Sequence, residues 1–289
     1  MNRTPLLGLS TTALRVGATR GLVDFRNSLQ KAGDVTYYII GAAGFTAGMV
    51  FLRDQPVPEL GISTASIVFP NALAIMMLFV ATYGLATLVT TEREDGTVLR
   101  LSILPGGVTA YAWGQTVRTF LELVFTFALF TVLAVFLVPN LTTEGVGGVA
   151  AAVGFLLLGV LATLPLGFVI GCVFSNPRSV GGWGFLVIGA LVAASGVIVP
   201  LGDSPLWVQI IGQLLPLYWL GLGLRSALLP EAFAAAEIGE SWRTLESIGV
   251  LGIWAVAGIV LAPMLLQRVV RRESFAQLAQ RREKALQRV

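Results

Sequence analysis

The chain has 289 residues, of which 55% are hydrophobic and 12% charged, with a formal net charge of +3 and a mean hydropathy of +0.82, values that point away from a soluble domain and toward an integral membrane protein. It contains no histidine and a single cysteine, Cys172, which excludes Ser-His, Cys-His and His-ligated metal chemistry and any disulfide within the chain. The basic residues sit at the chain ends and in short loops and form no stripe on a polar domain, so nucleic acid is not expected as a partner.

Residues 9–34 carry Arg15, Arg20, Arg26 and Lys31 among Leu9, Leu14, Val16, Leu22, Val23, Phe25 and Leu29. Helical spacing gathers the apolar positions loosely on one side, which predicts an amphipathic helix lying at the membrane interface. A first span is expected at 35–52, where about 18 residues at ~1.5 Å each reach about 27 Å, close to the thickness of a hydrocarbon core. No small-residue cleavage site follows it, so it reads as a retained span. Gly44 and Gly48 within it form a small-xxx-small pair, and with Gly182 and Gly189 of the fifth span they are candidates for a dimer seam, although packing inside one bundle uses the same residue types. After a polar loop with Arg53, Asp54 and Glu59, a second span is predicted at 66–90, with Pro70 in its first turns where proline costs little.

The densest charge in the chain follows: Glu92, Arg93, Glu94 and Asp95, then Gly96, Thr97 and Arg100, closing at Pro105. Such a segment cannot lie in hydrocarbon, and its amphipathic portion from Thr97 to Leu104 suits a short interfacial helix. Gly106 and Gly107 break the chain, and Tyr111, Trp113 and Arg118 fit an interface belt.

The third span, 119–138, contains Glu122, the acid placed inside a membrane segment. Ionised at the bilayer centre it would cost on the order of 3 kcal/mol, a cost that Arg118 one turn earlier largely removes. The pair reads as an interfacial anchor, with substrate contact or coupling as the alternative. A fourth span is expected at 149–174, bent by Pro165, and a fifth at 179–199 after the turn Asn176-Pro177-Arg178. The stretch from Pro200 to Ser247 holds an apolar run, 206–224, interrupted by Pro216 and carrying Trp207, Gln209, Gln213, Tyr218 and Trp219. It predicts short re-entrant helices at the interface in place of a complete span. A sixth span at 248–266 leads into a basic tail.

Six spans divide the chain into an interfacial segment 1–34, an all-α transmembrane domain 35–266 and a tail 267–289. All lysines and arginines except Arg53, Arg225 and Arg243 then fall on one side. By the positive-inside rule that side is cytoplasmic, with both termini there and the domain in the cell membrane. A seventh span would move the tail cations outside.

No Gly-x-x-x-x-Gly-Lys-Ser/Thr loop occurs, so no nucleotide site of that kind is expected. Glu92, Glu94 and Asp95 could chelate a divalent ion, but Arg93 and Arg100 beside them favour contact with protein, and no metal site is assigned. An ion-coupled carrier would show polar groups near the midplane and two related halves; only Glu122 qualifies, and no repeat is evident.

The order of these features resembles the ABC-2 type permeases, the membrane subunits of ATP-driven exporters. The resemblance rests on the acidic-Gly-Thr-Leu stretch of Glu92, Glu94, Gly96, Thr97 and Leu99 closed by Pro105. It rests also on Ser195-Gly196 with Pro200 ending the fifth span, and on Pro205, Pro216, Tyr218 and Arg225 of the segment resembling the family's short external helices. It implies a pathway built by two permeases, identical or different, among membrane lipids. Separate ATPase subunits would bind ATP and magnesium, so this chain would carry no cofactor and catalyse nothing. It further implies a coupling helix at about Glu92 to Ile103 that seats in the ATPase, with the N-terminal helix and the Asn176 turn beside it. An apolar pathway suits an amphipathic or lipid-like cargo such as a drug, a secondary metabolite or a lipid-linked glycan. The alternative reading is an ion-coupled secondary transporter.

Overall fold

The computed structural model describes residues 11–57, 62–138 and 145–270. Helix α1 (Thr11–Ser28) precedes α2 (Ala32–Leu52), and after a two-residue antiparallel ladder between Pro56–Val57 and Ile62–Ser63 the chain enters α3 (Thr64–Glu94). The short α4 (Thr97–Ser102) turns it into α5 (Gly107–Leu137), followed by α6 (Gly145–Val173) and α7 (Pro177–Ala194). Then come α8 (Leu206–Leu214), α9 (Pro216–Leu228) and, beyond a short 3-10 turn at Glu231–Ala236, α10 (Thr244–Val270). Among the described residues six helices, α2, α3, α5, α6, α7 and α10, are long and apolar enough to cross a membrane. The fold is the expected all-α bundle, and the tail predicted from 267 onward lies mostly outside the described residues.

The stretch before the last span is the bent helix pair that Pro216 predicts: α8 and α9 meet at 90°. The corner is Leu215, extended at φ −91° and ψ 136°, because a following proline ring disfavours the helical conformation. Trp219 Nε1 closes the corner by donating to the carbonyl of Gln213 at 2.7 Å.

Two departures from the hydropathy pattern have simple causes. Helix α5 starts at Gly107, twelve residues earlier than hydropathy suggests, because Gly106 at φ +69° is the true break and nothing after it interrupts the helix. Its 31 residues rise about 47 Å, well beyond a hydrocarbon core of ~30 Å, so Tyr111 and Trp113 ride on a helix that protrudes. Helix α1 packs through its small residues, whereas hydropathy pointed to an apolar face. Ala13, Gly17 and Gly21 are buried while Val16, Leu22 and Val23 stay about half exposed. A Cβ on Gly17 would lie 2.5 Å from the carbonyl oxygen of Ala110, and one on Gly21 would lie 2.4 Å from that of Gly114. The two backbones therefore touch, as small-xxx-small pairs allow.

Helices α3 and α6 form the centre of the bundle, with most of each span buried, whereas α2, α5, α7 and α10 are largely peripheral. Their spacing is set by glycine: a Cβ at Gly167 would come within 2.7 Å of the Ala81 carbonyl, and one at Gly171 within 2.9 Å of the Val89 side chain. Pro165, buried in the middle of α6, seats its ring in the notch left by Gly258 of α10. Both α3 and α7 contain a widened π-helical stretch, Leu78–Gly84 and Val180–Gly184. The two approach each other through Phe185, whose ring centroid lies 5.9 Å from that of Phe79 and 6.3 Å from that of Tyr83.

Candidate functional site

The charged segment between α3 and α5 separates into an inner and an outer half. Gly96 at φ +75° and Gly106 at φ +69° adopt the left-handed conformation that glycine enters without steric cost, so α4 is a one-and-a-half-turn helix bracketed by two tight reversals. Val98 and Leu99 plug it into the bundle; Asp95 and Arg100 face outward beside Ile103, Leu104 and Pro105, with Ile103 73% and Leu104 55% exposed. Arg100 Nη2 donates to Thr97 Oγ1 at 3.1 Å, and Glu94 is half-buried at the base.

Arg93 points the other way. It is buried, and its Nη1 donates to the carbonyls of Gly171 at 2.5 Å, Cys172 at 3.2 Å and Phe174 at 3.0 Å. These are carbonyls that the end of α6 leaves without helical partners, and a cation there also complements the helix dipole. Glu92 is likewise internal: Gln115 Nε2 donates to its Oε2 at 2.9 Å, and Arg20 Nη2 lies 3.5 Å from its Oε1. Arg20 also pairs with Asp24 at 3.3 Å and sits 5.4 Å from the centre of the Tyr111 ring. One carboxylate thus ties α3 to α1 and α5. Of the seven residues singled out in the sequence, Asp95, Thr97 and Arg100 form the outer surface with Glu94 at its edge. Gly96 shapes the turn, and Glu92 and Arg93 hold the segment in place.

Glu122 forms a 2.7 Å ion pair with Arg118 one turn before it. The pair lies under the corner between α1 and α2, where Tyr38 donates to Ser28 Oγ at 3.3 Å and Phe125 packs edge-on against Phe25 and Tyr38. Asn176 caps α7 by accepting from the Ser179 N–H at 2.8 Å. Among the described residues, no atom beyond the neighbouring residues and the helix's own backbone lies within 4 Å of where a Cβ would stand on Gly44, Gly48, Gly182 or Gly189, so these glycines mark no close approach between described helices.

At the opposite end of the bundle, Arg225 is 1% exposed and carries a network that sequence patterning only half reveals. Its Nε donates to Glu237 Oε1 at 2.6 Å and its Nη1 to Asn71 Oδ1 at 2.9 Å, joining α9 and the loop after the 3-10 turn to α3. Among the described residues Arg225 Nη2 and Glu237 Oε2 find no hydrogen-bond partner. Tyr218 is buried beside Trp219, Pro205 starts α8, and Arg243 stacks 4.7 Å from the Trp219 ring while donating to Gln213 Oε1 at 2.9 Å. Glu237 and Asn71 went unnoticed in the sequence because neither stands in a motif, and Glu237 is one of three acids, with Glu231 and Glu240, that follow Arg225 within fifteen residues.

A family model described as ABC-2 family transporter protein matches residues 55–262, from the loop before α3 into the last span. The chain belongs to this family. A comparison with curated proteins returns no match. As an ABC-2 permease it is a multi-pass membrane protein and the transmembrane component of an ABC transporter, a class of subunit that associates with an ABC ATPase and is generally non-catalytic.

Proposed function

We propose that this permease forms an export pathway driven by a separate ATPase subunit that grips the outer surface of α4. The observation that carries the reading is the exposed corner of Asp95, Arg100, Ile103, Leu104 and Pro105 on a helix otherwise anchored by Val98 and Leu99. An ordinary solvated turn has no use for two large exposed apolar side chains flanked by opposite charges, whereas a protein cleft does. In this reading the α4 end is cytoplasmic, which the distribution of arginines supports, and the protein resides in the cell membrane. ATP and magnesium stay with the partner. Force on α4 reaches the bundle through Arg93, which holds the end of α6, and Glu92, which holds α1 and α5.

A second permease, a copy of this chain or a different one, completes the pathway, with Gly44, Gly48, Gly182 and Gly189 as the close-approach positions. The cargo is amphipathic or lipid-like, in keeping with the apolar character of the spans.

The test is the paired substitution Ile103→Asp and Leu104→Asp. It should abolish co-purification with the ATPase and ATP-driven transport while leaving the melting temperature of the detergent-solubilised permease unchanged, because both side chains are exposed. Full retention of ATPase capture and transport would overturn the docking surface. For the cargo, ATPase stimulation in proteoliposomes should respond to lipophilic compounds; a response confined to hydrophilic polysaccharide would overturn that part.

A further inference from the structure

A cavity of about 260 Å³ lies between α1, α5, α6 and α10, beside the first turns of α5. Among the described residues no acidic or basic side chain lines it, so an ion entering would give up its hydration with no counter-charge in return. Most of the wall is apolar, and it includes the half-buried indole of Trp113 and the buried ring of Phe168. The frame is firm: α1 is held backbone-to-backbone on α5, and the Pro165 ring is seated against Gly258 of α10.

Polar groups interrupt that surface. Thr109 lines the cavity and is 3% exposed, and among the described residues its hydroxyl has no hydrogen-bond partner. Pro165 and Pro263 stand inside α6 and α10, and a proline brings no N–H to the carbonyl four residues before it. Those carbonyls belong to Leu161 and Ile259, and both residues line the cavity, as do the two prolines. Two helices thus bring their proline turns to one space. The Thr116 hydroxyl, also in the wall, donates to the Ala112 carbonyl at 2.9 Å and keeps its capacity to accept.

These features select an occupant. The volume exceeds that of an apolar cavity of ~150 Å³ that takes up benzene, which leaves room for a second ring, and rings pack well against Trp113 and Phe168. A hydroxyl group donates to a carbonyl and exchanges a hydrogen bond with Thr109, whereas a bare hydrocarbon or an acyl chain leaves those groups unpaired. Water satisfies Thr109 but gains nothing from the apolar remainder. We infer that this cavity binds a small, neutral, two-ring aromatic alcohol, its rings against Trp113 and Phe168 and its hydroxyl toward Thr109 and the carbonyls of Leu161 and Ile259. No described residue of α2, α4 or α7 lines the site, so it stands independently of the ATPase seat and of the permease seam proposed above.

The experiment titrates 2-naphthol into the full-length permease at constant detergent and reads the loss of tryptophan fluorescence by energy transfer, with affinity expressed per mole fraction of probe in the micelle. A saturable component approaching one probe per chain is expected, and it should be missing from Trp113→Phe. On the unmodified chain 2-naphthol should bind about fivefold or more tightly than 2-methoxynaphthalene, which has the rings but no donor, and the anion 2-naphthoate should give no saturable component. Thr109→Val should narrow the gap between naphthol and its methyl ether. Ala262→Phe puts a ring into the cavity and should weaken naphthol about tenfold or more, with an unchanged elution profile showing that the variant is folded. Quenching that rises without saturating, equal affinity for naphthol and its methyl ether, saturable binding of naphthoate, or a component untouched by Ala262→Phe would each overturn the site. The probe series needs no variant, so a misfolded Ala262→Phe leaves the outcome decided.

Discussion

Replacing Glu237 with leucine strands a guanidinium inside the protein. Arg225 and Glu237 are 1% and 0% exposed at their side chains and 2.6 Å apart, and after the substitution Arg225 keeps Asn71 but no counter-charge. Removing one member of a buried pair costs about 3–5 kcal/mol because the remaining ion is left uncompensated. For a chain of this size that corresponds to a fall in melting temperature on the order of 10 °C. The double variant Arg225→Met with Glu237→Leu removes both charges and conserves most of the volume, so it should recover most of the loss and give a coupling of about 3 kcal/mol in the cycle. The assay is the fraction of detergent-solubilised permease that stays monodisperse after heating, measured on wild type, both single variants and the double. If Glu237→Leu alone melts with wild type, or the double variant falls by the sum of the singles, then the ion pair does not lock α9 to the loop after the 3-10 turn and the reasoning fails.

The contact between α1 and α5 predicts that Gly21→Ala destabilises by about 1–3 kcal/mol through overpacking, since its Cβ would lie 2.4 Å from the Gly114 carbonyl oxygen. Limited proteolysis at Arg26 should accelerate, and an unchanged cleavage rate would count against the close crossing. Arg93→Gln should cost about 1.5–3 kcal/mol, the value of a charged hydrogen bond, in the same heating assay, whereas Asp95→Asn, exposed on the outer face, should stay within about 0.5 kcal/mol. Equal effects would mean that the two halves of the charged segment do not differ as described. Gly258→Ala collides with the Pro165 ring, with the new Cβ 1.8 Å from its Cγ, so yield of folded protein should drop sharply; a normal yield would show that α6 and α10 are free to separate.

The six spans and the bent pair were readable along the chain because apolarity over a membrane thickness is a local sum, and because Pro216 and Gly106 act on the backbone where they stand. The charged segment was conspicuous for the same reason: Glu92 to Arg100 interrupt hydrocarbon-loving sequence whatever the rest of the chain does. Which charge does what was not readable. Arg93 and Asp95 are two residues apart and look alike in a hydropathy profile, yet Arg93 is claimed by the carbonyls of α6, 78 to 81 residues away, and Asp95 is left outside.

Arg225 depends on Glu237 and on Asn71, the latter 154 residues distant, and no window along the chain includes both. Small residues show the same split. Gly44 and Gly48 carry the spacing of a packing motif but meet no other helix among the described residues, while Gly17, Gly21 and Gly258 do the packing. Composition and backbone chemistry thus determined that this is a six-span helical membrane protein and where it turns. Burial of particular charges and glycines is a property of neighbours brought together from remote parts of the chain, and only the tertiary structure decided it.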